Sequence, residues 1–210
     1  MNLKELENLI ARYPALLGCS DDIVSAYNAL LDMFRGSGKL LIAGNGGSAA
    51  DCEHIAGELL KSFKKKRPVC SDACDALMEK YGEAGAVLAR KLEGALPAIP
   101  LPSIISLNTA FANDVDPAVA FAQLTFALGG KGDILIAIST SGNAQNVINA
   151  VMVANAMGMK TIGLTGASGG KLSGLCDIMV RVPSEETYVI QEYHLPVYHA
   201  LCAMLERELF

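Results

Sequence analysis

The sequence contains no stretch of 18 unbroken apolar residues, so nothing in it reads as a membrane-spanning helix. Its first residues, Met1-Asn2-Leu3-Lys4-Glu5, lack the basic, apolar and small-residue series of a secretory signal, and the expectation is a cytoplasmic protein. Positive charge is in short supply as well. With 17 Lys and Arg against 22 Asp and Glu the net charge is −5, so no overall field draws the chain to nucleic acid or to an anionic membrane surface. Any anion it binds must be captured locally. Histidine is restricted to His54, His194 and His199. The six cysteines (Cys19, Cys52, Cys70, Cys74, Cys176, Cys202) are scattered through a chain too large and too apolar to need disulfide staples, which fits buried thiols in a reducing compartment. Cys70 and Cys74 lie four apart, yet no second Cys/His pair stands nearby to close a structural zinc site.

What the chain does have is apolar mass, 51% of 210 residues, enough for one sizeable core and hence for a single domain over 1–210. Helical apolar spacing runs from Leu3 to Tyr13 and from Ser20 to Phe34, with Ser20, Asp21 and Asp22 as an expected cap, so residues 1–35 form amino-terminal helices. A short apolar run from Lys39 to Ala43 ends in a glycine cluster and is followed by the helical pattern Ala49 to Phe63. The same strand, loop and helix recur as Asp133 to Ile138, Ser139-Thr140-Ser141-Gly142 and Asn143 to Met157, with Lys160 to Leu164 as the next strand. Further strands are expected at Ile178 to Val182 and Ser103 to Leu107. Continuous apolar strands separated by helices require a sheet covered on both faces. The fold class is therefore α/β: a three-layer α-β-α sandwich, doubly wound about a central, mostly parallel five-stranded sheet. Residues 71–96 have helical composition without a strand signal and read as a helical insertion. Residues 186–209 read as one long helix in which Pro196 predicts a kink or local break. The run Lys64-Lys65-Lys66-Arg67 reads as a solvated edge.

Two strand-to-helix loops carry the chemistry. Gly44, Gly46 and Ala49 satisfy the G-x-G-x-x-[GA] spacing of a dinucleotide site. The helix that follows, however, runs into the basic stretch and the insertion instead of a second strand ending in Asp or Glu, so no nucleotide cofactor is expected. What survives is simpler: glycines admit close approach of a ligand, and a helix amino terminus offers free N–H groups to an anion. Ser139, Thr140 and Ser141 beside Gly142 add hydroxyl donors at the carboxyl end of another strand, where ligands of open α/β sheets bind. Such loops can also be plain capped helix starts, but two of them together favour a phosphate-bearing ligand. His54 and Glu58 share a helix face at four-residue spacing, and Gln191 and His199 lie two turns apart on the last helix. If those helices meet, the four side chains make an N/O metal site or an acid/base pair; if not, each is a satisfied polar group on a helix surface.

The ordered set Gly44-Asn45-Gly46-Gly47-Ser48, His54-x-x-x-Glu58, Ala112-Asn113-Asp114, Ile138 to Asn143, Leu164-Thr165-Gly166 and Ile190-Gln191-Glu192 followed by His199 resembles the bacterial phosphoheptose isomerases, a family of sugar isomerase (SIS) domain proteins. The resemblance spans almost the whole chain except 71–96. It implies conversion of sedoheptulose 7-phosphate to D-glycero-D-manno-heptose 7-phosphate by a homotetramer whose sites combine residues of adjacent subunits and can hold one zinc ion each. Carried over by position, Asn45, Gly46, Gly47, Ser48, Glu58, Asn113, Asp114, Ser139, Thr140, Ser141 and Gln191 contact substrate. His54, Glu58, Gln191 and His199 match the zinc ligands, with Glu58 as base and His199 as its acid/base partner. Three features depart from the family pattern: Ala144 where a hydroxyl is common, Ser62 where an arginine is common, leaving Lys61 or the Lys64 to Arg67 run to compensate, and the insertion. The other readings are a non-catalytic SIS regulator resembling the replication initiator-associating protein and an isomerase of another sugar phosphate. Retention of both Glu58 and His199 favours the enzyme.

Overall fold

The computed structural model describes residues 4–210; Leu3, expected at the start of the first helix, lies outside them. The elements in chain order are α1 (Lys4–Arg12), α2 (Ser20–Arg35), β1 (Leu40–Ala43), α3 (Gly47–Leu60), α4 (Ser71–Ala89), β2 (Ala98–Pro100), α5 (Ile105–Asp114), α6 (Ala120–Leu128), β3 (Ile134–Ile138), α7 (Gln145–Ala156), β4 (Lys160–Thr165), β5 (Ile178–Arg181) and α8 (Thr187–Leu209). All five strands pair in parallel in the order β2-β1-β3-β4-β5. Chain direction around the sheet reverses between β1 and β3, whose register is Leu40 on Ile134 and Ile42 on Ile136. That reversal opens the crevice at the carboxyl ends of the strands in which doubly wound sheets bind ligands.

Alternation along the strands divides the core into two. Leu40, Ile42, Ile134, Ile136 and Ile138 point to one face, covered by α1, α2, α3 and α8. Leu41, Ala43, Leu135 and Ala137 point to the other, covered by α6 and α7. A strand buried on both faces needs the unbroken apolar run seen in the sequence.

Four expectations need correction. Ser103–Leu107 is not a strand; those residues close a short turn and open α5, and the fifth strand is the three-residue edge strand Ala98–Pro100. Ser20 does not cap α2: the cap position is Cys19, and the Ser20 hydroxyl donates back to the Leu17 carbonyl at 2.8 Å. Pro196 does not break α8, which runs from Thr187 to Leu209. Most of the Lys64–Arg67 run is exposed, but Arg67 is fully buried. Its Nε bonds Glu206 Oε1 at 2.7 Å, and its terminal nitrogens donate to the Leu59 and Glu58 carbonyls at 2.8 and 2.9 Å. Glu206 in turn accepts the backbone N–H groups of Phe63, Lys64 and Lys65. This clasp ties the carboxyl end of α3 to α8, so Arg67 is not free to compensate for Ser62. Nor is Lys64, whose Nζ pairs with both oxygens of Glu5.

Of residues 71–96, expected to be helical, Ser71–Ala89 form α4 and the rest do not; α4 bends at Gly82, bringing the Leu77 carbonyl hard against Gly85. Only Gly85 and Ala89 of α4 are buried, while Met78, Tyr81, Val87 and Leu88 face outward.

Candidate active site

Both loops lie at the reversal point. In the first, Ala49 and Ala50 donate to the Gly46 carbonyl, which leaves the N–H groups of Gly47 and Ser48 without a backbone acceptor at the head of α3. Ser48 is buried there, and Asn45, Gly46 and Gly47 are exposed. In the second, Gly142 donates to the Ser139 carbonyl and Asn143 to Ser141 Oγ, leaving the Thr140 and Ser141 N–H groups in the same condition. Gly142 has φ +66°, and a Cβ there would overlap the Gly169 carbonyl, so only glycine fits. The two loops are clamped together by reciprocal amide bonds between Asn45 and Asn146, 2.9 and 2.8 Å long. Free N–H groups of this kind, one pair at the head of α3 and one in the loop before α7, are donors suited to an anion. Ala144 sits at the cap position of α7 and offers no side-chain bond.

Seven residues along α3 from Gly47, roughly 10 Å at the helical rise, a second group of residues converges. His54 Nε2 lies 3.2 Å from Glu58 Oε1 and 3.3 Å from His199 Nε2. One ligand atom from each of these three residues lies within 4.8 Å of the other two. α8 runs alongside α3, so the question left open by the sequence is answered: the helices meet. Glu58 Oε2 is buried without a hydrogen bond, and its nearest cation is Lys61 Nζ at 3.9 Å. Burial, together with the neighbouring His54, holds His199 below the usual imidazole range, so its neutral form is favoured.

Behind this trio stand two residues that sequence reasoning missed. The Tyr198 hydroxyl donates to Asp51 Oδ1 at 3.1 Å and lies 3.0 Å from His54 Nδ1. Burial pushes the Asp51 carboxyl up, against the opposing pull of the Tyr198 bond and of His54. Burial and the Asp51 charge push the Tyr198 phenol up, keeping it protonated. Asp51 stands one helical turn before His54 and so shares its face, a signal present in the sequence. Tyr198 had no such signal, because its role exists only once α8 packs on α3. The third histidine, His194, is fully buried, and burial pushes it down to about 4 against the opposing pull of the Thr165 backbone.

The remaining expected residues divide between those brought in and those left out. The Gln191 amide lies against Gly47, where a Cβ would overlap it, placing Gln191 at the first loop. Gln191 forms no hydrogen bond with His54, Glu58 or His199 among the described residues. Asn113 and Asp114 close α5, exposed, and bond one another at 2.8 Å with no hydrogen bond to either loop.

Known proteins resemble this chain over most of its length. The SIS domain family model matches residues 76–166. A phosphoheptose isomerase of Maridesulfovibrio salexigens is 39% identical over 90% of this chain and 79% of its own length. One from Roseiflexus sp. is 41% identical over 90% and 82%. Among solved structures, a phosphoheptose isomerase from Francisella tularensis superposes with TM-score 0.74 at 30% identity over 96% of this chain and 98% of the other. One from Neisseria gonorrhoeae gives TM-score 0.72 at 31% identity over the same shares.

Proposed function

The chain belongs to the phosphoheptose isomerase family of SIS-domain proteins, and from that premise we propose that this isomerase interconverts sedoheptulose 7-phosphate and D-glycero-D-manno-heptose 7-phosphate. The observation that carries the reading is the trio His54, Glu58 and His199 gathered one stretch of α3 away from two phosphate-ready loops. That separation lets an extended seven-carbon chain keep its phosphate on Gly47, Ser48, Thr140 and Ser141 while its carbonyl end lies at Glu58. Asn45, Gly46, Ser139 and Gln191 complete the sugar-binding wall around the crevice.

Aldose–ketose isomerisation moves a proton between adjacent carbons through an ene-diol. Glu58 takes the proton from C1 of the ketose while His199 protonates the C2 oxygen. The C1 hydroxyl proton leaves as the C1 carbonyl forms, and the proton held by Glu58 is returned at C2. Glu58 is the carboxylate of the trio, and its Oε2 forms no hydrogen bond that would have to break before the residue takes the proton. His199 enters the cycle neutral and passes protons between the two sugar oxygens.

Two imidazoles and a carboxylate converging on one point are a zinc donor set. We place zinc on His54, Glu58 and His199; Gln191, the fourth ligand of the family pattern, has its amide against Gly47 at the first loop. Bound there, the metal would polarise the sugar carbonyl. We also place the enzyme in the cytoplasm, in line with six free cysteines, and in a homotetramer. α5 supports the assembly, because none of its residues is buried although half are apolar.

Incubating the protein with sedoheptulose 7-phosphate and following the aldose by NMR tests the assignment. Turnover is expected, with Glu58→Gln and His199→Ala each lowering kcat by at least about 100-fold. No turnover with or without added zinc would overturn the heptose reading, and full activity in either variant would overturn the residue roles.

A further inference from the structure

His54 Nε2 faces two groups that carry lone pairs, Glu58 Oε1 and His199 Nε2, and its other nitrogen faces Tyr198. The direction of the chain of bonds follows from its far end. The Tyr198 hydroxyl donates its hydrogen to Asp51 Oδ1, and the phenol oxygen is left to accept. A hydrogen on His54 then belongs on Nδ1, directed at Tyr198, and a metal ion takes the place of any hydrogen that Glu58 draws to Nε2. We propose that Tyr198 and Asp51 are positioning residues that lock His54 as the Nδ1–H tautomer, turning its Nε2 lone pair into the space shared with Glu58 and His199.

This inference rests on the reading of the trio as metal ligands, and supplies what that reading needs. A histidine ligand binds through a nitrogen free of hydrogen, and the partner of its other N–H fixes both tautomer and ring orientation. Here the partner is a phenol that is itself aimed by a carboxylate, on residues outside the trio. Tyr198 is 2% exposed and packs edge-on to both rings, with centroids 5.4 Å from His54 and 5.0 Å from His199. It cannot swing away to hydrogen-bond water.

The arrangement makes a ranked prediction. Removing only the carboxylate, in Asp51→Ala, releases the Tyr198 hydroxyl to donate to His54 Nδ1, which drives the ring hydrogen to Nε2 and blocks the metal position. Asp51→Asn keeps an acceptor for Tyr198 and should preserve the tautomer. Tyr198→Phe removes the constraint altogether and should give a mixture.

Nitrogen-15 correlation spectra of the metal-free protein under conditions where its histidines are neutral read the tautomer directly, and chelator competition reads zinc affinity. The wild type should show His54 as Nδ1–H; Asp51→Ala should show Nε2–H with zinc binding weakened about 10–100-fold; Asp51→Asn should restore both. A wild-type Nε2–H tautomer, or an Asp51→Ala protein unchanged in tautomer and affinity, would overturn the proposal. Should Asp51→Ala fail to fold, Tyr198→Phe replaces it, and an unchanged tautomer and affinity there would overturn the proposal equally. The underlying reading fails separately: wild-type protein that binds no zinc more tightly than His199→Ala defeats the metal assignment, while the tautomer signal still decides the role of Tyr198 and Asp51.

Discussion

At Gly47 the head of α3 and the side chain of Gln191 occupy adjoining space, and the fit leaves no room for a Cβ. The sequence alone explains that glycine as part of an anion-binding loop. The structure adds a second reason, which sits on α8 and is invisible in any local motif. Gly47→Ala must push either the loop or the Gln191 amide aside, and a shift of about 1 Å in a binding wall can cost about 100-fold in rate. We expect kcat/KM for the sugar phosphate to fall to that extent while the thermal midpoint changes little, since the residue is exposed and outside the core. An equally active Gly47→Ala enzyme would show that Gln191 does not border the substrate. The same distinction separates the legible residues from the missed ones. His54 with Glu58, and Gln191 with His199, were readable because each pair shares a helix face. Tyr198, Asn146 and Glu206 acquire their roles only through contacts between elements.

At the scale of elements, β1 and β3 were readable because burial on both faces leaves a continuous apolar run, and β4 and β5 because short apolar stretches follow a helix or a turn. β2 was not. It is a three-residue edge strand containing Pro100, tolerated there because an edge has one unpaired side, and the nearby Ile104, Ile105 and Leu107 imitate a strand while opening a helix. The basic run misled for a related reason: three of its four charges are solvated, and the fourth is the centre of a clasp. Arg67 and Glu206 are each about 1% exposed, and together they bond the last carbonyls of α3 and the first N–H groups of the chain beyond it. Because Glu58 stands in the last turn of α3, this clasp also holds the proposed base in place. Removing one partner strands a buried charge, so Arg67→Met should destabilise the fold by about 3–5 kcal/mol in chemical denaturation. Arg67→Met combined with Glu206→Gln should cost less than the sum of the two single changes, because the second removes the charge that the first leaves uncompensated. Additive losses would mean that the two side chains act independently.

For the molecule as a whole, the placement of Asn113 and Asp114 is the informative disagreement between one chain and a complete site. Both belong to the sugar-contact set by family pattern, yet they end an exposed helix and make no hydrogen bond to either loop. Ile105 and Val115 near them, with Phe126 and Met152 on α6 and α7, are more than half exposed, an apolar surface of the kind that copies of a chain cover in a closed assembly. If a neighbouring subunit's Asn113 and Asp114 complete the site around Glu58, then two inactive proteins should rescue each other. Glu58→Gln subunits and Asn113→Ala/Asp114→Ala subunits, unfolded together and reassembled as mixed oligomers, would form some sites in which both lesions fall on one side and the intact residues meet on the other. Random mixing in a symmetric oligomer predicts recovery of about a quarter of wild-type activity per site, from two preparations that are each inactive alone. Phe126→Glu in both should abolish the recovery by weakening the assembly, seen as a smaller species in sedimentation. Sites built within one chain would yield no recovery at any mixing ratio, because every copy of the site would then carry one lesion or the other.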